Sequence, residues 1–372
     1  MKGVNQRVVR TVTAFLACII VVGVVYFSID RRLQAFFTPI VISSFRSEMD
    51  DYATDPDIIR YSHLFKSSSP VLIYSFLCFS QPPYNSSDVT DELKVSLSKA
   101  ANQEKTVIIT TLNAAWAQNN SMVDLFLKSF HIGNGTEALL KNLLIVAVDE
   151  KALNRCREIH PHCYLMKTEG VDFSGEKLYM TRDYLKMMWR RLRFFGEVLE
   201  RGYNFVFSDA DIMWFRDPFT KFSSKADFQI ASDRYRRKAT NLSNKPNAGF
   251  MYVHSNEKTV DFFNFWYRSK KVYPRKNEQQ VLKILKWKEF RRRRLKFEFL
   301  DTKYFGGYCE RTKDVNFVCT MHANCCKGLK AKVIDLRNTL SDWEKYKQQE
   351  KLGKGKDVLW TSPDACQHSW RR

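Results

Sequence analysis

Two aspartates separated by one residue, Asp209 and Asp211, directly follow the short apolar run 205–207, Phe-Val-Phe. On an extended segment the side chains of residues i and i+2 leave the same face, so both carboxylates can meet one hard divalent cation that holds a diphosphate. A solvated acidic turn is the alternative. However, two carboxylates between that run and Ile-Met-Trp-Phe at 212–215 are costly to bury unless they are paired or metal-bound. The stretch therefore predicts a metal site, with Trp214 as part of its floor.

Strands and helices alternate around this segment, as they do in a parallel, doubly wound sheet. The runs 106–111 and 143–148 are rich in β-branched or aliphatic residues, and the run 184–201 has apolar residues at helical spacing. Open sheets of this class bind ligands at the carboxyl ends of their strands, where the two aspartates stand. Asp149, after the second of these strands, is either a ribose contact or the N-cap of a following helix.

Residues 202–219 resemble the Asp-x-Asp segment of plant nucleotide-diphospho-sugar transferase domain proteins, the glycosyltransferase family 77 group, and further stretches from about residue 106 to residue 346 also match. The resemblance implies a GT-A fold, which is α/β and Rossmann-like, with a mostly parallel sheet flanked by helices. It also implies a metal-dependent, anchored enzyme of the secretory pathway that uses a nucleotide-sugar donor and retains the anomeric configuration. UDP is the expected nucleotide, and Mn²⁺ or Mg²⁺ is the expected cofactor.

The same resemblance assigns side chains around the donor. The first strand and its loop would cradle the nucleotide, with a plain strand end as the alternative. A Trp-Arg pair on the long helix and two lysines near the last cysteines would reach the diphosphate. The residues expected to bind the nucleotide sugar are Thr110, Thr111, Asn113, Arg190, Asp209, Lys327 and Lys330. His322 would complete the metal shell with Asp209 and Asp211.

Two further stretches would face the sugars. Asn247-Ala-Gly249 resembles the family's acceptor-side strand, where glycine lets a sugar approach the backbone, and is expected to form the acceptor pocket with Trp214. Glu278-Gln279 stands where relatives carry Asp-Gln. Both residues are candidate catalytic groups, for sugar binding or leaving-group chemistry, and the longer glutamate would displace the carboxylate.

The N-terminal region predicts a membrane anchor. Residues 11–29 form an uncharged stretch long enough to span a bilayer as a helix. A cleaved signal peptide is the alternative, but the stretch is long for one and lacks a convincing small-residue cleavage site. We therefore expect a type II Golgi membrane protein with a cytosolic tail at 1–10, a stem at 30–105, a lumenal transferase domain at 106–350 and a basic tail at 351–372.

Sequons and cysteines suit a lumenal domain. The potential N-glycosylation acceptors are Asn85, Asn119, Asn134 and Asn241. One of the nine cysteines, Cys18, lies in the predicted span, and the remaining even number suits an oxidising compartment. The C-terminal spacing lacks the paired C-x2-C knuckles of structural zinc sites. We expect disulfides among Cys309, Cys319, Cys325 and Cys326, with Cys156–Cys163 as a further pair.

The formal net charge is +20, and residues 286–296 contain four consecutive arginines. Such a balance ordinarily suggests nucleic acid. In an anchored lumenal protein, basic surfaces would instead meet anionic donors, lipid headgroups or an acidic acceptor, so we expect no nucleic-acid partner. The expected partners are a nucleotide-sugar donor, a cell-wall glycan or glycoprotein acceptor, and the Golgi membrane through residues 11–29.

The predicted function is the transfer of a sugar from a nucleotide-diphosphate donor to a glycan or glycoprotein hydroxyl by a metal-dependent glycosyltransferase. A binding protein is the alternative: a GT-A-derived scaffold in a lumenal glycosylation complex that no longer turns over. An intact set of Asp209, Asp211 and His322 disfavours that alternative.

Overall fold

The computed structural model describes residues 91–168, 173, 175, 179–353, 355 and 358–370. The predicted anchor at 11–29, the stem up to residue 90, Asn85 and Cys78 lie outside the described residues. Within those residues, no helix is both long enough and apolar enough to cross a membrane.

A seven-stranded sheet forms the centre of the domain. Seven strands build it: β1 Thr106–Leu112, β2 Leu143–Ala147, β3 Cys163–Leu165, β4 Asn204–Ser208, β6 Phe228–Arg234, β7 Lys245–Val253 and β8 Phe297–Phe299. Their order is β3-β2-β1-β4-β7-β6-β8. Strand β7 runs antiparallel to both of its neighbours, and the other pairs are parallel. The expected α/β fold with a mostly parallel sheet is confirmed.

A second, three-stranded sheet lies beside the first. It consists of β5 Ile212–Trp214, β9 Phe305–Gly307 and β10 Thr320–His322, in the order β5-β10-β9. Strand β5 follows β4 after only three residues, so the Asp-x-Asp turn is the direct link between the two sheets.

Helices cover both faces of the large sheet because successive side chains of a strand point to opposite sides. Val107 and Ile109 of β1 enter one core, and Ile108 enters the other. The first core is closed by α1 Glu92–Ala100, α4 Arg182–Glu200, α5 Glu257–Arg268 and α6 Glu278–Arg292. The second is closed by α2 Met122–Ile132, α3 Glu150–Ile159 and α7 Leu329–Lys351, and a short α8 Asp364–His368 follows.

Helix α1 bears on the amino-terminal boundary of the transferase domain, because it lies within residues 30–105, which were predicted to form the stem. Asp91 caps this helix by accepting a hydrogen bond from the backbone N–H of Lys94 at 3.0 Å. Leu93, Leu97 and Ala100 are buried in the same core as β1 and β2. The helix is therefore part of the transferase domain, which begins before residue 106.

The predicted basic tail is attached to the domain as well. The indole N–H of Trp360 donates to the carbonyl of Thr312 at 3.0 Å, and the backbone N–H of Thr361 donates to Asp342 at 2.6 Å. Helix α8 buries Cys366, which forms a disulfide with Cys326.

Three disulfides join described residues: Cys156–Cys163, Cys309–Cys325 and Cys326–Cys366. The first is the pair expected from the sequence. The expectation for the C-terminal cysteines is corrected at two positions. Cys319 is a free, buried thiol, and Cys326 pairs with Cys366 of the C-terminal tail. Burial raises the pKa of Cys319 to about 11, so this thiol is a poor nucleophile. Spacing along a chain says nothing about where a side chain points, so the fold decided this pairing.

Candidate active site

A cavity of about 670 Å³ opens at the carboxyl ends of β1 and β4. This is the edge at which open α/β sheets bind ligands. It is lined by the loop after β1, the β4–β5 turn, the middle of β7, the start of α6 and the chain that runs from β10 into α7. The predicted site residues that line it are Thr111, Asn113, Asp209, Asp211, Asn247, Gly249, Glu278, Gln279, His322 and Lys327.

The three predicted metal ligands meet in this cavity. Asp209, Asp211 and His322 each offer one ligand atom, and these atoms lie within 4.8 Å of one another. Local structure explains the meeting: Ile212 N–H donates to the Asp209 carbonyl at 3.1 Å, which turns the chain sharply between the two aspartates. Strand β10 pairs antiparallel with β5, which places His322 opposite Ile212.

Two observations indicate that this cluster fits a divalent cation. The buried Oδ1 of Asp211 lies 3.2 Å from His322 Nε2, yet it receives no well-oriented hydrogen bond from the residues that the structure describes. The two atoms therefore face each other at a spacing that two ligands of one ion could share. In addition, a Cβ at Gly249 would lie 2.5 Å from His322 Cε1 and 2.6 Å from Asp209 Oδ2, so only glycine leaves this space open. Carboxylate oxygens suit hard divalent cations, and an imidazole nitrogen is a further ligand that divalent transition metals accept.

Lys332 also belongs to this site, although the sequence analysis does not include it. Its ammonium group forms an ion pair with Oδ2 of Asp211. Burial acts to raise the pKa of Asp211, but Lys332 and then His322 outweigh burial and hold that pKa well below its usual value. Asp211 is therefore an ionised carboxylate, as a metal ligand must be.

Arg191 organises the other side of the cluster. Its guanidinium is buried, donates to Asp209 Oδ1 at 2.7 Å and to Glu278 Oε1 at 2.9 Å, and stacks on the ring of Phe207. Burial raises the pKa of Asp209; Arg191 opposes this and nearby Asp211 adds to it, so the net shift is upward. One arginine thus pairs with two carboxylates that would otherwise repel each other, and its single positive charge balances one of their two negative charges.

Glu278 and Gln279 occupy the first turn of α6, which Asn277 caps by accepting from Gln280 N–H at 2.8 Å. Burial raises the pKa of Glu278 in spite of Arg191. Its second oxygen, Oε2, is buried without a hydrogen-bond partner among the described residues. The side-chain oxygen of Gln279 accepts from the backbone N–H of Ala248 at 2.9 Å, which fixes its amide beside Asn247 and Gly249. Glu278 is therefore held by Arg191, whereas Gln279 lines the cavity with its side-chain oxygen held by the backbone of Ala248.

A small polar network faces the cavity next to β7. Asp233 Oδ1 accepts hydrogen bonds from the side-chain amides of Asn247 at 2.7 Å and Asn324 at 2.9 Å. Of Asp233, Asn247 and Asn324, only Asn247 was predicted from the sequence. None of the described residues donates to the other oxygen of Asp233, which leaves it suited to accept from a sugar hydroxyl.

A family model described as nucleotide-diphospho-sugar transferase matches residues 138–336. An uncharacterized protein of Arabidopsis thaliana is 47% identical over 295 residues, which cover 79% of this chain and 78% of that protein. The chain belongs to the nucleotide-diphospho-sugar transferase family.

More distant relatives carry functional names. The Arabidopsis thaliana protein named UDP-D-xylose:L-fucose alpha-1,3-D-xylosyltransferase 3 is 23% identical over 164 residues, which cover 43% of this chain and 41% of that protein. Among solved structures, mouse xyloside xylosyltransferase 1 has a TM-score of 0.36 and 12% identity, covering 59% of this chain and 98% of that one.

Two residues predicted for the transferase site are in the protein interior instead. Trp214 is fully buried, stacks on Phe130 with ring centroids 4.6 Å apart, and donates its indole N–H to Ser208. It packs in the core beneath the Asp-x-Asp turn and is not accessible to a sugar. Thr110 is also fully buried and does not line the cavity, whereas its neighbour Thr111 does.

Two predicted basic residues have neighbours that take their place. Arg190 pairs with Glu197 at 3.3 Å on the outer side of α4, whereas Arg191 points inward. Lys330 is exposed and does not line the cavity, whereas Lys332 does. A helix turns by about 100° per residue, so a shift of one or two positions moves a side chain to another face. The usable signal was that Arg191 falls among the apolar positions of α4.

Asp149 and the sequons have clear placements. Asp149 caps α3 by accepting from Ala152 N–H at 2.8 Å, and its other oxygen accepts from Ala114 N–H at 2.8 Å, so of the two interpretations the N-cap holds. Asn119 is exposed, and Asn134 and Asn241 are partly exposed.

Proposed function

We propose that this protein is a metal-dependent GT-A glycosyltransferase that transfers a sugar from a UDP-sugar to a hydroxyl group of a cell-wall glycan or glycoprotein. The observation that carries the proposal is the gathering of Asp209, Asp211 and His322 in one cavity, with the ammonium of Lys332 beside them. Two carboxylates and one imidazole could hold a metal ion, and a cationic side chain beside them could bind a diphosphate.

The residues of the cavity divide the donor between them. Thr111, Asn113 and Trp116 line the end of the cavity by β1, where the nucleoside would lie. When bound, a divalent cation held by Asp209, Asp211 and His322 would neutralise the charge that the departing diphosphate develops. Lys332 would donate to oxygens of the donor's diphosphate. Its flexible stem allows it to leave Asp211 once another cation balances that carboxylate.

The sugar would lie against β7 and the start of α6. Asn247 and Asp233 offer hydrogen-bond partners for its hydroxyls, and Gly249 allows the ring to approach the backbone. Glu278 is held by Arg191, so it orients the arginine and Asp209 rather than acting as a nucleophile. We therefore propose that no covalent intermediate forms on Glu278. Retention of the anomeric configuration, which the family resemblance implies, is tested by reading the configuration of the product by NMR.

The alternative function is an inactive scaffold, and one contact favours it. Lys332 already neutralises Asp211, as a permanent internal cation would in a site that no longer binds metal. The two functions differ in a measurable way, because only the enzyme requires UDP and a divalent metal to stabilise each other.

The test is thermal stabilisation by UDP with and without Mn²⁺, followed by hydrolysis of a panel of UDP-sugars that includes UDP-xylose. D211N keeps the size of the side chain and removes a charged ligand, so the metal-dependent part of the stabilisation should disappear. Turnover should fall by at least about a hundredfold, since each 1.36 kcal/mol of lost transition-state stabilisation costs about tenfold.

D124N is the matched control. Asp124 also forms an ion pair, with Arg155 at 2.9 Å, but it lies outside the cavity. It should keep both the metal-dependent stabilisation and the turnover. Equal, metal-independent shifts in the parent and D211N would make the Asp-x-Asp segment a structural acidic turn and favour the scaffold.

We also propose that the domain works in the Golgi lumen behind the predicted type II anchor. The apolar stretch 11–29 and the sequons support this location. The disulfides add support, because such bonds persist in oxidising compartments.

A further inference from the structure

Trp370, near the carboxyl end of the chain, lines the active-site cavity while 49% of its surface stays exposed. Its indole N–H donates to the carbonyl of Cys325 at 2.8 Å, which fixes the orientation of the ring. An exposed, oriented indole at the rim of a polar cavity has no role in the hydrophobic core. The donor site described above does not use it either.

The chain around this indole is held to the cavity wall at two further points. The disulfide Cys326–Cys366 joins α8 to the loop after β10. The backbone N–H of Lys327 donates to the hydroxyl of Ser369 at 2.9 Å, one residue before the tryptophan. The position of the ring is therefore set by covalent and hydrogen-bonded contacts rather than by chance burial.

The same loop places the ring on the sugar side of the cavity. Asn324, adjacent to Cys325, donates to Asp233, and Asp233 also accepts from Asn247. The loop thus carries Trp370 on one side and reaches the network beside β7 on the other. The nucleoside end, at Asn113 and Trp116, is formed by the loop after β1.

The chemistry of this surface fits a sugar ring. A pyranose has an apolar face of C–H groups that can cover a flat aromatic surface, and hydroxyls around its edge. The Lys327 ammonium lies 4.1 Å from the centre of the indole, where it can donate to those hydroxyls or to a carboxylate.

We propose that Trp370 and Lys327 form the acceptor subsite of this protein, on which the sugar ring that bears or adjoins the reacting hydroxyl stacks. This inference rests on the proposed function, and it assigns Lys327 to the acceptor instead of to the diphosphate, which the family resemblance implied. It assigns a role in substrate recognition to a tail whose sequence alone is uninformative, and it makes the Cys326–Cys366 disulfide a support of that subsite.

The experiment compares W370A, W370F and W287A in the full-length protein. Trp287, on α6, is similarly exposed at 52% but does not line the cavity, so W287A is the matched control. The readouts are stabilisation by UDP with Mn²⁺, donor hydrolysis in water, and transfer to a pool of neutral and acidic cell-wall oligosaccharides that includes a methyl fucoside and an oligogalacturonide.

W370A should raise the KM for the acceptor oligosaccharide by about tenfold, as expected for the loss of one aromatic contact. Stabilisation by UDP and donor hydrolysis should stay near the parent values. W370F should recover most of the loss because it keeps a ring, W287A should behave as the parent, and K327M should raise the same KM.

Several outcomes would overturn the subsite while the proposed function stands. These are an unchanged acceptor KM in W370A, equal losses in W370A and W287A, weakened UDP binding in W370A, or donor hydrolysis by the parent with transfer to no oligosaccharide. Should W370A unfold, W370F and K327M decide: an unchanged KM in both overturns the subsite. A parent that neither binds UDP with metal nor hydrolyses any donor would instead overturn the proposed function itself.

Discussion

At the scale of single residues, the centre of this protein is the carboxylate of Asp211. It is buried, faces His322 on one oxygen and pairs with Lys332 on the other. A cation entering this site must share the carboxylate with the lysine. Competition between a bound ion and a tethered ammonium is a direct consequence of the geometry.

K332M should therefore change metal and nucleotide binding in opposite directions. Mn²⁺ should bind the nucleotide-free protein more tightly, because no ammonium competes for Asp211. UDP should bind more weakly by about tenfold or more, since a charge-assisted hydrogen bond contributes about 1.5–3 kcal/mol. Calorimetric titration with Mn²⁺ and then with UDP measures both.

K330M is the control for this prediction, because Lys330 is exposed two residues away and lies outside the cavity. It should leave both affinities unchanged. Weaker binding of Mn²⁺ by K332M would show that the lysine supports the metal site instead of competing with the ion.

At the scale of elements, helix α4 separates two adjacent arginines by its rotation. Arg191 is buried between Asp209 and Glu278, whereas Arg190 pairs with Glu197 near the surface. The same residue type thus has a structural and electrostatic role at one position and a marginal role at the next.

R191M should lower the free energy of unfolding by about 3–5 kcal/mol, because it removes the guanidinium that pairs with the buried Glu278 and the partly buried Asp209. R190M removes a partly exposed ion pair and should cost about 1 kcal/mol or less. Urea unfolding of both variants at neutral pH measures the difference. Similar losses in the two variants would contradict the buried charge network.

Helix α6 contains a buried lysine, Lys286, whose pKa is lowered by burial. This side chain is 4% exposed and donates to the carbonyl of Asn244 at 2.7 Å. Burial, and to a lesser degree Lys283, lowers its pKa to about 8. The unfolded chain, with its ordinary lysine pKa near 10.5, therefore binds more protons than the folded protein between pH 8 and pH 10.5.

The free energy of unfolding of the parent should accordingly rise with pH in this window, relative to K286M, by about 2 kcal/mol between pH 8 and pH 10. The sign follows because the folded state holds the neutral lysine more readily than the unfolded state does. Urea unfolding at both pH values provides the measurement. K288M, which removes an exposed lysine two residues along, should keep the parent's pH dependence, and a flat difference for K286M would refute the assignment.

At the scale of the whole molecule, the domain is held at both ends by contacts distant in sequence. Helix α1 packs on β1 and β2, and α8 is joined to the active-site loop by Cys326–Cys366. Three disulfides in one domain are consistent with folding in an oxidising compartment, as the proposed lumenal location requires.

The topology has its own test. Protease added to intact vesicles should spare the domain, and glycosidase treatment should increase its gel mobility, with Asn119 as the most exposed of the described acceptors. N119Q should remove part of that mobility shift. Digestion of the domain in intact vesicles would reject the type II orientation.

Much of the candidate site follows from the sequence because its residues stand next to structural signals. Asp209 and Asp211 come directly after an apolar strand, and Gly249 interrupts another. A strand end can be recognised locally, and its position at the ligand-binding edge follows from a general property of α/β sheets. Residues on helices were harder to assign. Arg191 has one local signal, its place among the apolar positions of α4, whereas Lys332 has none.

The sequence by itself therefore determined the fold class, the family and the three side chains that could hold a metal, because each of these depends on local pattern or on motifs that survive without coordinates. Only the tertiary structure decided which arginine and which lysine enter the cavity, that Trp214 is core, and that Cys326 reaches the tail. Those outcomes depend on helix rotation and on contacts between residues far apart in the chain. No local pattern encodes them, because they arise only when separate elements pack against each other.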